Sequence, residues 1–365
     1  MVNVVNINKI NIYIIIIFLN VNIYGQTLLK YNDDKSDKCF FENNGYRIEL
    51  NELGYKIVKD NEIVVNKNIS GVKSVKTSQD NNFTILSNFE KNENKLFRIN
   101  TITLYDKNYD QVQTFVDTVY NDYYANLYAV NNSGDIICYD INNNLITLKR
   151  RYELNNIELP FYFSVKTEAQ HFLNVDNQNI YLIKNITNPL DDEILPGFTI
   201  LYKINMSDFQ IISLKISLNV VTSYYLNSDY LVVSGNNGSE YKTYLFDKKL
   251  KLVNEIDERF NLIFNINEYF ISLNNSQIAV YDSLLKATNF KKHTKTFNIV
   301  DYFILNGKYY LAEYLLNNYK IYLLDLTDGE IKLVYQTEFE SDFPLVILKL
   351  KNIYLLDKNR TIFLE

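Results

Sequence analysis

Between Phe297 and Glu338 the chain reads FNIVDYFILN, GKYYLAEYLLNN, YKIYLLD and LTDGEIKLVYQTE. Four runs rich in Tyr, Ile, Leu and Val are separated by Asn306-Gly307, Asn317-Asn318 and Thr327-Asp328-Gly329. Such a pattern specifies consecutive antiparallel strands joined by tight turns, because Asn, Asp and Gly tolerate the backbone conformations that a chain reversal needs. Helical spacing is not sustained for three turns anywhere; the best candidate, around Asp282–Phe290, is short. The fold class is therefore all-β.

Weaker copies of the same unit fill most of the chain. An apolar or aromatic pair followed by Asp recurs at Leu104-Tyr105-Asp106, Cys138-Tyr139-Asp140, Leu245-Phe246-Asp247, Val280-Tyr281-Asp282, Leu323-Leu324-Asp325 and Leu355-Leu356-Asp357. Leu201-Tyr202-Lys203 stands where one more is expected, after a long interval from Asp140. A second token precedes several of these: Asp122-Tyr123-Tyr124, Asp229-Tyr230-Leu231, Glu268-Tyr269-Phe270 and Asp301-Tyr302-Phe303. Runs such as YLVV (Tyr230–Val233) and IYLL (Ile321–Leu324) are apolar without alternation, as in strands buried on both faces. The repeated Asp is read as a turn former, since its carboxylate can accept the amides of the following turn.

This repetition resembles the β-propeller superfamily, of the WD-repeat and quinoprotein-like type, over Phe40 to Glu365. Leu324-Asp325-Leu326-Thr327-Asp328-Gly329-Glu330 looks like the strand-Asp-x-x-x-Gly turn of quinoprotein-like blades. The Trp that such repeats often carry is absent, as are the Gly-His and Trp-Asp pairs of WD repeats. The resemblance implies one domain over residues 39–365, with seven blades, or six or eight. It also implies closure by pairing strands from the two chain ends. The C-terminal unit Asp342–Glu365 lacks four strands, so a segment within Cys39–Asp60 is expected to complete it.

Residues 1–25 differ from the rest. Lys9 is their only charge, the core IYIIIIFL follows, and Gly25 precedes Gln26. This is the layout of a secretory signal peptide, with an uncleaved membrane anchor as the alternative. Residues 26–38 form a polar lead-in. The expected location is secreted or the lumen of the secretory pathway, and a membrane is a partner only if the leader is retained. That compartment permits a bridge between Cys39 and Cys138; the alternative is two buried thiols.

The net charge is −6 with both signs interspersed, which argues against nucleic acid. No cofactor or metal motif occurs, and neither histidine, His171 nor His293, has sequence companions for a triad. No catalytic residue is assigned. The densest acidic group, Asp191-Asp192-Glu193, lies in a loop bounded by Pro189 and Pro196 and is a candidate binding loop. Glycosylation sequons are no more frequent than the Asn content produces; Asn131 and Asn237, in expected turns, are the candidates. The leading reading is a non-catalytic binding or scaffold module with a protein or glycan partner. The alternatives are a hydrolase or lyase with an axial pocket lined by carboxylates and tyrosines, and a membrane-anchored surface structural protein.

Overall fold

The computed structural model describes strands and connections within residues 39–364. Residues 1–38, the stretches 68–71, 92–96, 121–125, 161–170, 187–196, 289–298, 326–329 and 339–346, and shorter breaks in other turns lie outside the described residues. The leader and the lead-in are therefore outside them.

Thirty strands form eight separate antiparallel sheets, each a simple meander in chain order. The first sheet holds β1 (Cys39–Asn43), β2 (Tyr46–Asn51), β3 (Gly54–Lys59) and β4 (Glu62–Lys67). The second holds β5 (Val72–Thr77), β6 (Phe83–Lys91), β7 (Phe97–Asp106) and β8 (Gln111–Tyr120). The third holds β9 (Leu127–Val130), β10 (Ile136–Asp140), β11 (Leu145–Lys149) and β12 (Leu154–Glu158). The fourth holds β13 (His171–Val175), β14 (Asn179–Ile186), β15 (Phe198–Asn205) and β16 (Ile211–Ile216). The fifth holds β17 (Val220–Leu226), β18 (Tyr230–Asn236), β19 (Tyr241–Asp247) and β20 (Leu252–Ile256). The sixth has three strands, β21 (Leu262–Ile266), β22 (Tyr269–Asn274) and β23 (Gln277–Tyr281). The seventh has β24 (Ile299–Leu305), β25 (Lys308–Leu315), β26 (Asn318–Leu324) and β27 (Ile331–Glu338). The eighth has three, β28 (Ile347–Lys349), β29 (Ile353–Asp357) and β30 (Arg360–Leu364).

Successive residues of a middle strand enter two different cores. On β6, Ile85 packs toward Tyr128, Val130 and Cys138 of the third sheet, while Leu86 packs toward Tyr46, Ile48 and Tyr55 of the first. On β14, Leu182 joins Ile137 and Tyr139, and Ile183 joins Val221, Leu231 and Val233. These sheets are thus apolar on both faces and shielded by their neighbours, which explains the unalternated runs. First strands of successive sheets lie side by side: β5 with β9, β9 with β13, β17 with β21, β24 with β28, and β28 with β1.

The outermost strands are treated differently. In four of them one extra residue breaks the register, and each time it is an exposed valine: Val64, Val112, Val253 and Val334. A bulge twists an edge strand away from further pairing, which protects an otherwise open sheet edge.

Two expectations are corrected. Cys39–Lys67 does not complete the C-terminal unit: its four strands pair with one another, and among the described residues β28 pairs only with β29. Counting this segment as a sheet of its own gives eight sheets among the described residues, within the expectation of seven units, or six or eight. The helix candidate at Asp282 is a turn, in which the Leu285 amide donates to the Asp282 carbonyl and Leu285 takes φ 57°.

The repeated Asp does cap turns. Asp106 Oδ1 accepts the amides of Asn108 and Asp110. Asp247 Oδ1 accepts those of Lys249 and Lys251, and Asp282 Oδ1 those of Leu284 and Lys286. Three residues on, the chain turns left-handed at a large buried side chain each time: Tyr109, Leu250 and Leu285.

Candidate functional site: a cleft between the fourth and fifth sheets

In a meander, the connection between second and third strands lies at the same end as the exit from the fourth. Connections at that end build a cleft of about 820 Å³. Phe198 opens β15, Ser217 and Asn219 link β16 to β17, and Asn237 and Glu240 join β18 to β19. Tyr244 and Phe246 of β19 and Leu252 of β20 form the apolar wall, with Leu214 and Ile216 opposite.

The connection from β16 is held firmly. Thr199 Oγ1 donates to the Leu218 carbonyl at 2.9 Å and Asn185 Nδ2 to the same oxygen at 3.4 Å. Leu218 itself is fully buried. The Asn219 amide then donates to the Asn236 carbonyl at 2.7 Å, tying the two rims together. Gly235 makes this approach feasible: a Cβ there would stand 2.0 Å from the Val220 carbonyl oxygen. Equivalent clamps hold the neighbouring connections. Asn144 Nδ2 donates to the Leu159 carbonyl, and Thr222 and Ser223 hydroxyls both donate to the Phe260 carbonyl.

The cleft's polar side-chain groups among the described residues are one amine, one carboxylate, one serine hydroxyl, one phenol and two amides. Lys215 Nζ sits 3.8 Å from the centroid of the Phe198 ring, a cation–π contact. Glu240 donates its amide to Asn237 Oδ1 at 3.0 Å, and its carboxylate faces Asn237 Nδ2 at 3.4 Å. Ser217 Oγ and the Tyr244 hydroxyl are 3.4 Å apart. Four consecutive residues, Leu214 to Ser217, line one side. Leu214 to Ile216 end the outermost strand of the fourth sheet, whose outer edge has no partner strand among the described residues.

The residues singled out from sequence fall as follows. Asp191, Asp192 and Glu193 lie outside the described residues, in the segment that runs into Gly197 and Phe198 at the cleft rim. Cys138 is a free, buried thiol facing Asp117 and Asn126, and burial pushes it well above the usual thiol range. The side chain of Cys39 is outside the described residues. Asn131 is 3% exposed; its Oδ1 accepts the amides of Ser133 and Asp135, and its Nδ2 donates to Asp135 and faces Met206 Sδ. A glycan on that nitrogen would displace those contacts. Asn237 sits on the cleft rim. His293 is outside the described residues, whereas His171 lies between the third and fourth sheets, its ring edge-on to Tyr139 at 5.6 Å. Among the described residues no three His, Cys, Asp or Glu side chains come together as metal ligands.

No family profile and no curated protein matches this sequence. Solved structures do resemble it in shape. A dihydro-heme d1 dehydrogenase, NirN, in complex with DHE superposes with a TM-score of 0.50 at 12% identity, over 81% of this chain and 64% of that one. A eukaryotic initiation factor gives 0.48 at 10% identity, over 86% and 90%, and a Pyrococcus horikoshii acylaminoacyl peptidase 0.48 at 13%, over 81% and 52%. The chain thus spans less than two thirds of the dehydrogenase. The fold is propeller-like, by its sheet arrangement and the dehydrogenase likeness. A likeness of this kind shows the fold alone.

Proposed function

We propose that the chain is a secreted or lumenal β-propeller of eight blades that binds a segment of a partner protein, without catalysis, in the cleft between its fourth and fifth sheets. The ring is supported by the side-by-side first strands, with β28 beside both β24 and β1.

The observation that carries the binding reading is the composition of the cleft. Among the described residues it holds one carboxylate and no histidine, so they supply neither a paired-carboxylate nor a nucleophile–base arrangement there. The axial alternative is equally poor in acids: the sequences of the eight first strands contain only Glu42 and Asp301. What the cleft does offer is a strand edge at Leu214–Ile216 that no described strand covers, an apolar wall, and a cation and a carboxylate flanking it. Those are the elements that hold an extended segment by strand addition, with main-chain hydrogen bonds for affinity and side-chain pockets for selectivity.

The test is binding to immobilised peptide and glycan libraries, with Leu252→Arg as the blocked control. Leu252 is 46% exposed, so the substitution fills the cleft without entering the core. Peptide binding by the parent chain that Leu252→Arg abolishes supports the reading. Binding unaffected by Leu252→Arg, or confined to saccharides, overturns it.

A further inference from the structure

At the seam between the third and fourth sheets, two basic side chains meet with no acid beside them among the described residues. His171 opens β13 and is cross-strand partner to Lys184 of β14, which places their Cβ atoms about 5 Å apart. Lys184 Nζ makes one hydrogen bond, to Asn144 Oδ1 at 3.0 Å. That oxygen already accepts from the Tyr139 hydroxyl, and the Asn144 amide nitrogen is committed to the Leu159 and Pro160 carbonyls. Asn144 is therefore saturated, and two of the three ammonium protons of Lys184 remain unassigned. His171 Nδ1 is enclosed and has no hydrogen-bond partner. The titratable groups facing the imidazole are Lys184 and Tyr139; among the described residues no carboxylate contacts either basic group.

An enclosed nitrogen without a partner is unfavourable, and a partly desolvated ammonium without a counter-charge is more so. We propose that Lys184 and His171 together form a receptor for a small oxyanion, a carboxylate or phosphate group, at the end of the seam where β13 begins. The chemistry follows from the donors: an ammonium with free N–H groups beside an imidazole binds an anionic oxygen by charge-assisted hydrogen bonds. The titration of the two bases is consistent with this. Burial, then the charge of Lys184, hold His171 down at about 3, and burial lowers Lys184 itself. An anion bound between them would offset both effects.

The experiment follows the two imidazoles by nitrogen-detected NMR in the full chain, as a function of pH, with and without inorganic phosphate and then acetate. His293→Gln assigns the signals, since the chain has only two histidines. The expected result is a saturable rise of about one pH unit in the His171 midpoint, equivalent to tenfold tighter anion binding by the imidazolium form. Lys184→Met and Lys184→Gln should both remove that rise, and circular dichroism confirms that each is folded. The phosphate and acetate arms separate the two oxyanion sources. No dependence on either anion overturns the proposal, as does an equal rise in both Lys184 variants. A triple variant Asp191→Asn, Asp192→Asn, Glu193→Gln that by itself shifts the His171 midpoint would make the chain's own acids the counter-charge, which also overturns it.

Discussion

Gly235→Ala should be among the most damaging single substitutions in the chain. The added Cβ would lie 2.0 Å from the Val220 carbonyl oxygen, 3.0 Å from its carbonyl carbon and 3.2 Å from Leu218 Cδ1. Non-bonded carbon contacts optimise near 3.5 Å, so the β17 backbone must retreat by more than about 1 Å. It has little freedom to do so. The register slips between Val221 and Ser223, and the hydroxyls of Thr222 and Ser223 each donate to the Phe260 carbonyl at 2.8 Å. The Asn219 amide is bonded to the Asn236 carbonyl across the same gap. Overpacking costs about 1–3 kcal/mol and each of the three hydrogen bonds lost about 1 kcal/mol, for a total of about 4–6 kcal/mol. That is a large fraction of the roughly 5–15 kcal/mol by which domains are stable. Urea unfolding followed by circular dichroism measures it. A loss below about 1 kcal/mol with an unchanged cleft would refute the close approach of β17 and β18 on which the cleft geometry rests.

Asp247→Ala removes the acceptor for the Lys249 and Lys251 amides, and should cost about 1 kcal/mol in the same assay, with Asp247→Asn recovering most of it. Lys76, on β5, is lowered from its ordinary 10.5 to about 8 by burial. The unfolded chain therefore holds the extra proton between those values, and stability should rise with pH across that window; Lys76→Met should flatten this rise and stabilise the chain at neutral pH. His171, lowered from its ordinary 6.5 to about 3, acts in the same sense in a more acidic window. Its contribution is complete above about 6.5 and is lost as pH falls toward 3, so a His171→Gln variant should lose less stability on acidification than the parent.

Much of the fold could be read in the chain because strand and turn signals are local. Asp106, Asp247 and Asp282 cap turns through their own side chains, so their role is written within five residues. The left-handed positions after them were invisible, since Tyr109, Leu250 and Leu285 are residue types that avoid that conformation. They adopt it here because their side chains reach the cores between sheets. That the strands within Cys39–Asp60 pair in a sheet of their own was not legible for a related reason: which runs pair across a ring is a matter of long-range geometry, and each run alone looks the same. The cleft was not legible at all. Phe198, Ser217, Asn237 and Leu252 belong to four separate connections and strands, and only the clamps on Leu218 and the close passage at Gly235 bring them together. His171 was unremarkable in sequence because its isolation depends on Asn144, from another sheet.

The central claim is that the sheets follow one another around an axis, so that the first and last are neighbours. Spin labels on Glu62 of the first sheet, Glu240 of the fifth and Arg360 of the eighth test this by electron–electron distance measurement, with Cys39 and Cys138 replaced by Ala. A ring predicts that the Glu62–Arg360 distance is the shorter and Glu62–Glu240 the longer. The reverse order, with the chain ends farthest apart, would describe a linear stack and contradict the account.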